Sequence, residues 1–156
     1  MTLKKRNTTS TEQDSNYDKF LKELSIFDIR LINSSCRLDT GADKKMRTDK
    51  RPVPVRHLIS TEYELGEVGD QFFNASVHCK FVIQGEKIKA KPVSIDCSFQ
   101  GHFHTESAIQ KKLAERFTQS DLRLVVWPYL REFIQDMTVR MSIPPVVLPY
   151  LSRQSN

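Results

Sequence analysis

The sequence predicts an α+β domain in which a four-stranded antiparallel meander sheet is covered by C-terminal helices. Three observations carry this reading. Four segments between residues 25 and 104 alternate apolar and polar side chains, the pattern of strands with one covered and one wetter face. Short turn-like sequences separate the last three of them. The final third changes to an apolar spacing of three to four residues, as helices lying on a sheet require.

A chain of 156 residues is the length of one ordinary domain. The opening "MTLKKRNTTSTEQDSN" has no apolar run, so residues 1–15 are expected to be a disordered tail, neither signal peptide nor membrane anchor. No other segment reads as a membrane span, and the expectation is a soluble, cytoplasmic protein without membrane insertion. One domain over 16–151 and a short tail over 152–156 complete the division.

Within the domain, Tyr17, Phe20, Leu21 and Leu24 share one helical face, with Ser15 or Asn16 as N-cap. In "SIFDIRLINSSC", Phe27, Ile29 and Leu31 alternate with Asp28 and Arg30 as in a half-buried strand. "DTGADKKMRTDKRPVP" reads as a loop from its glycine, its charges and its prolines. In "VRHLISTEYEL", His57, Ile59, Thr61, Tyr63 and Leu65 share one face, and "GEVGD" is the turn after it. The next strand collects Phe73, Ala75, Val77, Cys79, Phe81 and Ile83 on one face. After a hairpin at "QGEK", the last strand aligns Val93, Ile95, Cys97, Phe99, Gly101 and Phe103. Pro92 cannot donate to a ladder and marks an edge, a bulge or a strand start.

"TESAIQKKLAERF" opens with Thr105 or Ser107 as capping residues and spaces Ile109, Leu113 and Phe117 four apart. "SDLRLVVWPYLREFIQDMTVRM" is a longer helix. Val126, Tyr129/Leu130, Phe133/Ile134, Met137 and Met141 form its apolar stripe, opposite Arg131, Glu132, Gln135 and Asp136. An interior proline costs ~3 kcal/mol, so with Pro128 the helix either kinks or begins near Trp127.

The search for chemistry yields little. No GxSxG, P-loop, GxGxxG or HExxH occurs. His102 and His104 lie on one strand face, but no third ligand with metal spacing accompanies them. Cys36, Cys79 and Cys97 form no CxxC pair and are expected to be buried, inert thiols. No catalytic residue, metal or cofactor is expected. The formal charge is +5, and residues 37–56 hold seven basic against three acidic side chains. Such a segment can neutralise phosphates, which makes a small basic nucleic-acid-binding domain the alternative of another class. The segment has no aromatic residue to stack on a base, so nucleic acid is an unlikely partner.

Apolar surface is what remains. "SIPPVVLPYL" cannot be a helix, because Pro144, Pro145 and Pro149 forbid it. An extended apolar segment beside a helix makes a groove wall, and exposed apolar patches mark binding sites.

The stretch "WPYLREFIQDMTVRMSIPPVVLP" resembles the C-terminal signature of the SecB family of export chaperones. Trp127, Pro128, Tyr129, Leu130, Arg131, Glu132, Pro144, Pro145, Leu148 and Pro149 match it, and the likeness extends over about Ser25 to Leu151. It implies an ATP-independent holdase, needing no cofactor, that keeps unfolded preproteins soluble and export-competent. It also implies a homotetramer built as a dimer of dimers. Carried onto this chain, the client-binding residues are Phe103, Trp127, Phe133, Met137, Ile143, Val146, Val147, Leu148, Tyr150 and Leu151. Asp28 matches one acidic position that docks the SecA motor, whereas Ile32 replaces the second. The family's further helix would start after Pro149, where this sequence has only "YLSRQSN". The N-terminal "YDKFLKEL" followed by "SIFDIRLI" is more similar to SecB-like chaperones of toxin–antitoxin systems, whose client is an aggregation-prone antitoxin.

Overall fold

A computed structural model describes residues 8–48, 54–85 and 91–151, with side chains described from residue 13 onward and, in the second helix, to residue 44. The order is α1 (Thr8–Glu23), β1 (Ser25–Leu38), α2 (Thr40–Thr48), β2 (Val55–Val68), β3 (Phe72–Gly85), β4 (Val93–His104), α3 (Lys111–Ser120) and α4 (Leu122–Arg140). The strands form one antiparallel sheet, as the alternation predicts. The order β1-β4-β3-β2 corrects the meander. Only β2, β3 and β4 follow one another. β1 joins the far edge of β4, with Ser25 opposite His104 and Leu38 opposite Val93, which is Greek-key connectivity. Alternation reports which face a residue takes, not which strand lies beside it. The clue was the long 39–54 connection, too long for a hairpin.

The two central strands match their predicted faces throughout. Phe73, Ala75, Val77, Cys79, Phe81 and Ile83 of β3 are buried beside Val93, Ile95, Cys97, Phe99, Gly101 and Phe103 of β4. Gly101 is needed there: a Cβ on it would lie 2.7 Å from the Phe103 ring. That ring is held 4.9 Å from Phe73 and 5.0 Å from Phe117.

β1 departs from its predicted face. Register shifts fall between Ile26 and Asp28 and between Leu31 and Asn33, and each shift resets the alternation. Phe27 ends 80% exposed, while Ile29 still packs on the core. Cys36 on the same strand is exposed too, contrary to the expected burial.

Four helical boundaries also move. α1 begins at Thr8, so part of the tail expected over 1–15 is helical and Ser15 and Asn16 lie inside the helix. Residues 40–48, read as loop, are α2: the Asp39 carboxylate accepts the Gly41 and Ala42 amides at 3.0 Å and caps it. Thr105 and Ser107 do not cap α3, whose N-cap is Gln110; the Thr105 hydroxyl donates instead to the Ser107 carbonyl. α4 begins at Leu122, so Pro128 sits inside it and the start near Trp127 is excluded.

Leu122, Val126, Leu130, Ile134 and Thr138 form the buried line of α4, at a strict four-residue spacing. Tyr17 and Phe20 seat α1 on the same core. The Tyr17 hydroxyl donates to Asp121 Oδ2 at 2.5 Å, and the Arg116 guanidinium lies 4.0 Å from the Tyr17 ring centre.

Candidate functional site: an apolar cleft walled by a proline-rich segment

α4 ends in a turn that reverses the chain. Ser142 adopts φ 58°, and the amides of Ser142 and Ile143 donate to the carbonyls of Val139 and Thr138 at 2.9 and 3.2 Å. This is the paired capping pattern of a left-handed helix end. The following segment, 143–151, forms no helix and runs back along α4 towards Trp127. Three contacts fasten it. The Val146 amide donates to Thr138 Oγ1 at 3.1 Å, inside the core. The Trp127 indole N–H donates to the Pro149 carbonyl at 2.8 Å. The Arg131 guanidinium lies 4.0 Å from the Tyr150 ring centre and lowers the phenol's pKa by hydrogen bonding and charge.

Between this segment and the end of the sheet lies an apolar cleft of about 540 Å³. Ile143, Pro144, Pro145, Val146 and Val147 form one wall; Val55, His57, Ile83 and Val93 come from the strands, and Asp43 from α2. The prolines fix an extended, rigid wall with little entropy left to lose, so an apolar chain can be met without reorganisation. The His57 ring lies 5.8 Å from that of Phe81, tilted by 46°. A smaller hollow of about 260 Å³ lies against α4, between Phe99, Tyr129 and Phe133. There the Phe133 ring meets Phe99 edge-on at 6.0 Å.

The structure divides the predicted client-binding residues. Ile143, Val146 and Val147 line the cleft, and Phe133 lines the hollow. Val147 and Tyr150 project outward, 52% and 82% exposed, and Leu151 is exposed beside them. Trp127 and Met137 are half-buried against the core. Phe103 is 1% exposed, Leu148 5% and Val146 7%, so these three act mainly as packing that positions the wall. Sequence reasoning missed the sheet-side lining. His57 shared the expected covered face of its strand, yet it and Val55 are both exposed. It also missed Thr138, whose place in the four-residue line with Leu130 and Ile134 was the available signal.

Asp28, the predicted motor-docking position, lies on the other sheet face. Its Oδ2 accepts from Arg30 Nε at 2.6 Å and its Oδ1 faces His102 Nε2 at 4.0 Å. The same face holds a Ser–His–Asp contact: His78 Nδ1 is 3.0 Å from Ser98 Oγ and its Nε2 is 3.5 Å from Asp96. Acyl transfer at such a set needs free N–H donors beside the serine. β3 and β4 are flanked by strands on both sides, so the ladders occupy their amides. Among the described residues no group of three or more His, Cys, Asp or Glu could hold a metal ion. No described helix is long and apolar enough to cross a membrane.

No family model matches the chain, and no curated protein matches it. Solved structures do. The SecB-like chaperone Rv1957 of Mycobacterium tuberculosis, in complex with a ChAD peptide from the antitoxin HigA1 (Rv1956), superposes with a TM-score of 0.72 at 19% identity. The match covers 88% of this chain and 96% of that one. A protein of unknown function from Streptococcus agalactiae gives a TM-score of 0.49 at 10% identity, covering 82% of this chain and 98% of that one. The fold of this chain is SecB-like.

Proposed function

We propose that this chain is a polypeptide-binding chaperone that holds unfolded segments in the cleft between its sheet and its proline-rich wall. The observation that carries this is the rigid apolar wall of 143–147 facing Val55, His57, Ile83 and Val93 of the sheet across about 540 Å³. That space accepts apolar side chains of an extended chain. Among the described residues its lining is apolar apart from Asp43 and His57. Binding unfolded chains at this cleft would keep them from aggregating by mass action alone, with no nucleotide. The test is light scattering of an aggregating client with and without the protein, in the absence of ATP. Suppression near equimolar ratio is expected, and none at several-fold excess would refute the reading. Val147→Asp places a charge in the cleft from an exposed position and should weaken suppression with the circular-dichroism spectrum unchanged. Leu148→Asp would instead disrupt the core.

A dedicated antitoxin client is the second reading, and one observation favours it: the similarly folded mycobacterial protein was solved with an antitoxin peptide. Export through SecA has less support here, because Arg30 already pairs with Asp28. Binding of a peptide library drawn from antitoxin C-termini, compared with one drawn from preproteins, separates the two clients. A homotetramer fits the apolar residues Ile26, Phe27, Leu31 and Ile32 exposed along the first half of β1.

A further inference from the structure

The three cysteines take no part in the cleft, and the strand register brings them together. Cys79 and Cys97 stand directly opposite each other on the central strands, buried on the helix side. Opposed antiparallel residues have Cα atoms about 4.5–5.5 Å apart, within the roughly 4.4–6.8 Å that a disulfide spans. The register therefore sets the two side chains side by side at the Cα spacing a disulfide takes. Their thiols face each other: the Cys97 S–H donates to Cys79, and this bond, followed by burial, pushes the Cys97 thiol far up.

On the other side of β4, Ser34 stands opposite Cys97 and Cys36 opposite Ile95. Cys36 is thus one diagonal step from Cys97 on the same face. It is exposed, on an edge strand with two register shifts, and burial followed by the charge of Cys97 raises its thiol pKa. All three cysteines make one row across β1, β4 and β3, running from solvent into the core.

We propose that Cys79 and Cys97 are a dithiol–disulfide pair, oxidised by a hydroperoxide through Cys36. The Cys36 thiol gives its proton to solvent and the thiolate attacks the peroxide: an S–O bond forms, the O–O bond breaks, and the leaving oxygen takes a solvent proton to depart as alcohol or water. The Cys97 sulfur then attacks the Cys36 sulfenic sulfur: an S–S bond forms, the S–O bond breaks, and the hydroxyl leaves as water with the Cys97 proton. Cys79 attacks the Cys97 sulfur, the new disulfide forms and the Cys36 thiol is released. Two thiols and one hydroperoxide become one disulfide, one alcohol (or water) and one water. Burial holds the Cys36 thiol above its usual range, so its thiolate fraction, and with it the first step, rises with pH.

The test treats the full chain, folded by circular dichroism, with hydrogen peroxide, traps thiols with N-ethylmaleimide and maps peptides by mass. Expected are a Cys79–Cys97 disulfide and a trapped Cys36. In Cys79→Ala the product should stop at a Cys36–Cys97 disulfide. In Cys36→Ser, disulfide formation should slow about tenfold or more. Sulfinic acid on Cys36 with Cys79 and Cys97 both trapped would overturn the proposal. So would a Cys36–Cys36 disulfide between chains as sole product, or an unchanged rate in Cys36→Ser.

Discussion

Thr138→Val should unfasten the proline-rich wall while leaving the sheet intact. The substitution keeps the branched shape and removes one hydroxyl. That hydroxyl accepts the Val146 amide at 3.1 Å and donates to the carbonyls of Ile134 or Gln135 at 3.0 and 2.9 Å. Valine can do neither. The carbonyls belong to a helix whose own amides serve them, so the main loss is the buried Val146 N–H. An unsatisfied buried donor costs about 1–3 kcal/mol, and the apolar gain of valine offsets part of it, leaving about 1–2 kcal/mol. At 1.4 kcal/mol per tenfold, local opening of the segment rises roughly 5- to 30-fold. Hydrogen exchange read by mass spectrometry suits the question, because residues 144, 145 and 149 are prolines without amides. A peptide over 143–149 therefore reports mainly Val146, Val147 and Leu148. Those amides should exchange roughly 5- to 30-fold faster, with β3 and β4 unchanged. Unchanged exchange there, or equal acceleration across the central strands, would refute the claim that this hydroxyl holds the wall.

Three further outcomes follow from the fold. Burial, and then the hydrogen bond to Asp121, raise the Tyr17 pKa from 10.0 to about 12. A raised folded-state value means the contribution is complete below the unfolded value of about 10 and is lost as pH rises towards about 12. Wild type should lose melting temperature over that window and Tyr17→Phe should lose less; parallel curves would show that the phenol does not couple to folding. Gly101→Ala sets a methyl against a pinned aromatic ring and should lower stability by about 1–3 kcal/mol, read as a lower urea midpoint with unchanged slope. An unchanged midpoint would mean the Phe103 ring moves aside freely. Phe27→Lys should reduce the mass seen by light scattering if β1 joins subunits, and an unchanged assembly would remove β1 from the interface.

The central sheet was legible because β3 and β4 are covered by helices on one side and wetter on the other, so alternation maps directly onto burial. β1 was less legible for the same physical reason. It is an edge strand with two bulges, and each bulge resets the register that alternation assumes. α2 was hidden by its charges, though Asp39 ahead of it was a readable cap. At the site, the prolines announced a non-helical apolar segment, and that expectation holds. Which face of it points outward could not be read from period alone. Val146 turns in and Val147 turns out because one amide is pinned by Thr138, a contact eight positions away in sequence.

The placement of β1 beside β4 has a consequence for how the chain reaches its native state. Its ladder joins residues separated by 55 to 79 positions, whereas the hairpins among β2, β3 and β4 close over short stretches. Non-local pairing must overcome loop-closure entropy before it is rewarded, so β1 should dock last. During synthesis the first strand leaves the ribosome carrying Ile26, Phe27, Leu31 and Ile32 and waits unpaired until β4 emerges. Until then the nascent chain presents a segment of the kind that the finished protein is proposed to hold.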